Sequence, residues 1–133
     1  HRELVYLGHA AALKDDLSAL ENLQMLAMLG GDDARPAEAA AALAAAGLKG
    51  RERLPARVLS AGQRRRVALA RLALGGPQAL WVLDEPFNAL DVDAAQWLAG
   101  LLQAHLAGGG VAVLTSHQAV PLDGAVEQVT VTL

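Results

Sequence analysis

Leu80-Trp81-Val82-Leu83-Asp84-Glu85-Pro86-Phe87-Asn88-Ala89-Leu90-Asp91 is the stretch that decides the fold. Its first four residues are an unbroken apolar run, the pattern of a strand covered on both faces, and the run stops at two carboxylates. Downstream, residues from about Asp93 to Ala107 read as a helix with Trp97, Leu98, Leu101 and Leu102 along one side. Gly108-Gly109-Gly110 then leads into a second buried strand, Val111 to Leu114, which ends at Thr115-Ser116-His117. Upstream, Ser60 can cap a helix that runs through Val67, Leu69, Leu72 and Leu74 and is closed by Gly75-Gly76-Pro77. At the far end, Val129, Val131 and Leu133 alternate with polar residues, as in a half-exposed strand. Helix, strand, helix, strand predicts an α/β fold in which parallel strands are joined by crossover helices. In such sheets ligands gather at the carboxyl ends of the strands, where Asp84, Glu85 and His117 fall.

The first half has a different texture. Residues 4–8 read as a short strand entering a loop. Ser18-Ala19-Leu20-Glu21 has the form of a capping box, and Leu20, Leu23, Leu26 and Ala27 follow at helical spacing until Gly30-Gly31. Pro36 suits the first turn of a second helix, which Gly47 ends, and residues 48–58 read as a basic loop. The alanine-rich stretch at 37–46 is compositional bias within that helix, and no internal repeat is apparent.

Alanine (29) and leucine (25) make up a large part of the 133 residues, against four aromatics, so the core is expected to be small-grained and helical. An apolar fraction of 53% excludes disorder, and the absence of cysteine excludes a disulfide scaffold. No apolar run approaches the roughly 18 residues of a membrane span, and the chain opens at His1 with no secretory signal. Net charge is only -3, but it is unevenly placed: residues 49–71 carry +7, and residues 72–133 carry -6 with no lysine or arginine. A basic block beside an acidic one suits either an anion paired with a cation, such as phosphate with magnesium, or two solvated surfaces. Nucleic acid is not expected, since the chain is acidic and its aromatics are not interleaved with its arginines.

Each chemical motif has two readings when taken alone. In Leu83-Asp84-Glu85-Pro86 the first carboxylate could hold a hydrated magnesium ion and the second could orient a water against a phosphate, yet acidic turns after strands are common. Leu59-Ser60-Ala61-Gly62-Gln63 could present amides to an anion at a helix start, or could be an ordinary serine cap with small residues for close packing. Trp81 and Trp97 are expected in the core, and His105 as a surface or hydrogen-bonded histidine. Arg64, Arg65 and Arg66 could attract phosphate or lie solvated on the surface.

The order of these motifs resembles the ATP-binding subunits of ABC transporters, P-loop NTPases. Leu59 to Gln63 resembles their signature motif, Leu80 to Asp84 Walker B, Glu85 the catalytic carboxylate, Asn88-Ala89-Leu90-Asp91 the D-loop, and His117 the switch histidine. Residues 10–58 correspond to the helical subdomain and 59–133 to part of the catalytic core, so residues 1–133 are expected to be a partial nucleotide-binding domain. Ala61 in place of the usual glycine, together with Tyr6-Leu7-Gly8-His9, Leu17 to Leu23 and Arg64 to Leu72, is similar to the haem-exporter ATPases of cytochrome c maturation, the CcmA family. The resemblance implies ATP and magnesium as ligands. Asp84 would hold the metal through water, and Glu85 would polarise the attacking water. His117 would touch the terminal phosphate, and Ser60, Ala61, Gly62 and Gln63 would meet that phosphate from across a homodimer interface, with Asp91 linking the two sites. It further implies integral-membrane permease partners docked through residues 10–58, no direct haem binding, and a peripheral place on the cytoplasmic face of a bacterial inner membrane.

Two departures bear on this. His9 stands where the wider family has a glutamine in its Q-loop; it could donate to a phosphate or cap the loop. No G-x-x-x-x-G-K-[ST] string occurs, so the lysine and the row of amides that would cradle phosphates are lacking from this sequence. The chain is therefore expected to be the C-terminal portion of an ATPase and inactive alone. The alternatives are a non-catalytic binding module for a permease or an intact ATPase, or an ATPase serving another transported substrate.

Overall fold

The structure, a computed structural model, describes residues 4–8, 12–74 and 80–116. Strands β1 (Leu4–Leu7), β2 (Leu80–Asp84) and β3 (Val111–Thr115) form one sheet in the order β1-β2-β3, with both pairings parallel. Helices α1 (Ala19–Leu29) and α2 (Pro36–Ala45) precede α3 (Ala61–Ala70), and α4 (Val92–Ala107) crosses from β2 to β3. The α/β architecture with parallel strands and crossover connections is the one the alternation predicts. The expected strand at Val129 to Leu133 and the closing Gly75-Gly76-Pro77 lie outside the described residues. Among the described residues no helix is long and apolar enough to cross a membrane.

The helix starts follow their sequence signals closely. At α1, Ser18 Oγ accepts from Glu21 N–H at 3.1 Å and Glu21 Oε1 accepts from Ser18 N–H at 2.9 Å, the reciprocal pair of a capping box. Pro36 opens α2 at a position that needs no amide donor, and Gly47 follows its end with φ +84, a conformation in which a Cβ is unfavourable. The basic loop includes a 3-10 turn at Ala56–Val58 and is tied to the α1 entrance: Ala19 N–H donates to Leu54 O and Ala56 N–H to Leu17 O. The helix foreseen from Ser60 to Leu74 is α only to Ala70; Arg71–Leu74 tightens into a 3-10 turn, a common ending for an α-helix.

Helix α3 separates two cores. Val67 and Ala70 face Leu23, Leu43 and Leu48 of the α1–α2 layer, whereas Leu69 and Leu72 face Val5, Leu7, Trp81, Leu83, Leu98 and Leu102 of the sheet and α4. The i, i+3 spacing within each pair puts its members on one side of the helix. Trp97 is half-buried and touches both clusters, and Trp81 is buried, as expected of core tryptophans. The His105 ring stacks on Trp81 with centroids 3.8 Å apart and lies 3.1 Å from Val111 O, so it is a hydrogen-bonded histidine.

Expectations for the strands need correction. β2 alternates: Trp81 and Leu83 are buried, while Leu80 and Val82 are half-exposed. β3 is not a buried strand, since Val111 and Val113 are 56% and 53% exposed. In the described residues the helices cover the sheet face that carries Val5, Leu7, Trp81, Leu83, Ala112 and Leu114, and Leu4 and Tyr6 are exposed on the other. A continuous apolar run says that both faces can be buried; it does not say what covers them.

Polar clamps complete the frame. Asn22 is fully buried within α1; its Oδ1 accepts from Lys14 N–H at 2.8 Å and its Nδ2 donates to the carbonyls of Lys14, Leu17 and Ser18. That side chain holds the 14–18 loop at Lys14, Leu17 and Ser18. Asn22→Ala is expected to leave those buried groups unmatched and to lower the unfolding free energy by about 2 kcal/mol, measured by denaturant titration.

Asp91 caps α4, its Oδ1 accepting from Ala94 N–H at 2.8 Å while Oδ2 meets Arg66 Nη2 at 2.7 Å. The Ala94 amide, with help from the Arg66 guanidinium, holds the carboxyl below its ordinary value of 3.8. A lowered folded-state pKa makes this contribution complete above that ordinary value and lost as pH falls through the folded one. The difference in denaturation midpoint between the parent and Asp91→Ala is thus expected to be constant above about pH 5 and to close at lower pH.

Candidate functional site

The C-terminal edge of the sheet brings together the groups singled out from the strand ends. In the β2–β3 register Asp84 lies opposite Thr115, and Thr115 Oγ1 donates to Asp84 Oδ1 at 2.5 Å. The Glu85 N–H points at the same threonine, 2.9 Å from Oγ1 and 3.1 Å from its carbonyl. Asp84 continues the pleat, but Glu85 has φ +52, a left-handed conformation that costs a residue with a Cβ roughly 1–3 kcal/mol. The Asn88 N–H closes the turn on Glu85 O at 3.1 Å. Because Glu85 leaves the extended conformation, the two adjacent carboxylates do not simply alternate across the sheet, and they can serve different atoms of one ligand.

Arg65 holds this turn from beneath. It is 6% exposed; Nη1 donates to Gly8 O at 3.0 Å, and Nη2 donates to Asp84 O at 3.2 Å and Glu85 O at 3.0 Å. Burial lowers its pKa, and the Asp84 charge works in the opposite direction.

At the start of α3 the capping box is complete: Ser60 Oγ accepts from Gln63 N–H at 3.1 Å, and Gln63 Oε1 accepts from Ser60 N–H at 2.9 Å. The box engages the amides of Ser60 and Gln63 and leaves those of Ala61 and Gly62 to other partners at the positive end of the helix. A Cβ on Gly62 would stand 3.9 Å from Ala89 O, so the signature-like segment lies beside the 88–91 turn of the same chain. Ala89 is itself left-handed, with φ +63. Asp91, one step on, is engaged by Ala94 and Arg66 within the chain.

Arg64, Arg66 and Arg71 of the basic block are drawn into pairs within the chain, whereas Lys49, Arg51, Arg53 and Arg57 lie exposed, as the solvated-surface reading has it. Arg57 pairs with Asp16, Arg64 with Asp15 and also Ala56 O, Arg66 with Asp91, and the buried Arg71 with Asp32 at 2.6 Å. These partners come mostly from loops distant in sequence, so the net charge over residues 49–71 does not show them.

Asp84, Glu85 and Thr115 are therefore gathered at one edge, and Ser60, Ala61, Gly62, Gln63 and Asp91 at a neighbouring one, with Arg65 and Arg66 joining the two. His9 and His117 lie outside the described residues. Thr115 is a neighbour of the strand-end carboxylates that the sequence does not single out, and Arg65, expected to attract phosphate or lie solvated, is instead buried against their backbone. Thr115 becomes visible only through strand register, and Arg65 sits among three consecutive arginines whose fates differ. The oxygen donors here, a carboxylate steadied by a hydroxyl and a second carboxylate beside it, suit a hard divalent cation such as magnesium. No group of three or more His, Cys, Asp or Glu side chains converges among the described residues.

Residues 1–88 match the family model described as "ABC transporter". The chain is 51% identical over 125 residues to the cytochrome c biogenesis ATP-binding export protein CcmA of Nitrosospira multiformis, covering 94% of this chain and 60% of that protein. It is 55% identical over 121 residues to the protein of the same name from Aromatoleum aromaticum, covering 91% and 56%. It thus spans somewhat more than half the length of these relatives. Among solved structures it resembles the dimeric, post-hydrolysis state of the ATP-binding cassette MJ0796 bound to ADP and Pi, with a TM-score of 0.73 and 26% identity over 88% of this chain and 53% of that one. With two thirds of its length matched by the family model and its parallel strands, capped helices and strand-end carboxylates in the expected order, the chain belongs to the ABC transporter family.

Proposed function

We propose that this chain supplies the hydrolytic carboxylates and the signature helix of an ATP-hydrolysing subunit that serves cytochrome c biogenesis, energising haem export or the release of a haem-loaded chaperone. The observation that carries the reading is the pairing of Asp84 and Glu85 at the tip of β2, with Thr115 fixing the first side chain and the second backbone amide. Identity above 50% to two CcmA proteins supports the biological setting.

In this reading the reaction is phosphoryl transfer to water. The water oxygen bonds to the terminal phosphorus, the bond to the bridging oxygen breaks, and ADP leaves. Glu85 orients the water and receives its proton; Asp84, steadied by Thr115, would hold magnesium through water. The metal supplies neutralisation of charge on the phosphate oxygens when bound. His117 would contact the terminal phosphate, and His9 would either donate to a phosphate or cap its loop. Ser60, Ala61, Gly62 and Gln63 would approach the terminal phosphate bound to a second copy, with Asp91 linking the two sites. Residues 10–58 form the helical subdomain that would dock on integral-membrane permease subunits, and the assembly would sit on the cytoplasmic face of a bacterial inner membrane.

Joining this chain to the phosphate-loop segment of the Nitrosospira multiformis relative allows the chemistry to be measured. Glu85→Gln in that chimera should lower kcat by about 100- to 1000-fold while leaving magnesium-dependent ATP binding in place. A Glu85→Gln protein that turns over like the parent would remove Glu85 from the role of hydrolytic base. Tight ATP binding by the 133 residues alone would contradict the need for a phosphate loop.

A further inference from the structure

In an extended strand successive carbonyl groups point in opposite directions, so one donor cannot ordinarily reach two in a row. Yet Arg65 Nη2 lies 3.2 Å from Asp84 O and 3.0 Å from Glu85 O. The two carbonyls converge because Glu85 is left-handed at φ +52. The same guanidinium reaches through Nη1 to Gly8 O, just beyond β1, at 3.0 Å. Its plane thus spans the ends of two adjacent strands, and it does so from a helix, α3, whose flanks are locked into both hydrophobic cores. Three carbonyl dipoles directed at one point would repel one another without a cation between them, and a buried cation would be costly without them.

We propose that Arg65 is a positioning residue for the hydrolytic carboxylate: by binding the Asp84, Glu85 and Gly8 carbonyls together it selects the left-handed Glu85 turn and sets where that carboxylate stands relative to the end of β1. The role rests on the function proposed above, and it is distinct from phosphate attraction, since the guanidinium is turned inward and buried. A planar fork is essential to it. A lysine keeps the charge but gathers its donors on one nitrogen, in place of the two that Arg65 directs one to each strand end.

Arg65→Lys is the test, examined in two ways. In the chimera carrying a phosphate loop, kcat should fall by about 10- to 100-fold with KM for ATP within about twofold of the parent, the signature of a displaced reacting group with binding intact. In the 133-residue chain itself, hydrogen exchange at the Glu85 amide should quicken by about tenfold while the amides of Trp81 to Leu83 keep the parent rates, showing that the turn and not the sheet has loosened. A kcat within about twofold of the parent, or exchange that quickens equally along the whole of β2, overturns the proposal and leaves Arg65 a packing residue. The Glu85→Gln chimera separates this from the broader reading. Loss of turnover there with full activity in Arg65→Lys sinks only the positioning role. Full turnover in Glu85→Gln sinks the assignment of the carboxylate, and exchange at the Glu85 amide still decides whether Arg65 selects the turn.

Discussion

Parallel strands that end along a common edge leave their last carbonyl groups beyond the reach of the ladder, and satisfying those groups shapes the rest of this molecule. At the ends of β1 and β2 the solution is a single buried guanidinium, from Arg65. At β3 the direction is reversed: the Thr115 carbonyl and hydroxyl take the Glu85 amide. Both devices act on the same residue, one through its oxygen and one through its nitrogen. Glu85 is consequently over-determined, which is the condition under which a non-glycine residue persists in a left-handed conformation. Two unrelated needs of the sheet edge are thus met at one peptide.

That arrangement requires α3 to be immovable, and composition explains why polar clamps share the work. The α1–α2–α3 core is rich in alanine, with Ala19, Ala39, Ala42, Ala46 and Ala70 among its buried members. Small side chains let helices approach closely but each removes little apolar area from water, so they fix register weakly. Asn22, the Arg64–Asp15 pair and the Arg71–Asp32 pair supply direction that the alanines lack. The last of these is the most sheltered, with the arginine side chain 4% and the aspartate 27% exposed, so it is screened least by water.

Much of this was legible in the order of residues, because the decisive signals are local. The capping box at Ser18, the serine cap at Ser60, proline at the start of α2, and the apolar run before Asp84 each act within a few residues of themselves, and each formed where expected. The misjudgements concern partners far apart in sequence. Arg64 and Asp15 are 49 positions apart, and Thr115 and Asp84 are 31. Local charge cannot reveal pairings of that kind, and the basic block divides between paired arginines and an exposed stretch at Lys49, Arg51, Arg53 and Arg57. The burial of β2 and β3 was overestimated for a related reason. Hydrophobicity reports what a strand can tolerate on each face, and only the packing of α3 and α4 on one side decides which face is used. The left-handed Glu85 had no sequence signal, since nothing in Asp-Glu-Pro demands a positive φ; it follows from Arg65 and Thr115.

The internal use of the arginines changes the electrostatics of the site itself. Had Arg64, Arg65 and Arg66 faced the strand ends as free cations, they would have drawn phosphate directly. Instead Arg64 is matched by Asp15, Arg66 by Asp91, and Arg65 by backbone dipoles. Arg64 and Arg66 are thus taken up by other carboxylates, while the Arg65 guanidinium, beneath the turn, acts on the Asp84 charge. Two like charges about 4 Å apart repel by about 1 kcal/mol even in bulk water, and by several times that near a protein surface. A polyphosphate can come against this edge only if a divalent cation lies between, or if donors elsewhere hold it there. In the function proposed for this chain, the carboxylate edge would position water and metal, and the energy that holds the nucleotide would come from a separate set of amides and cations.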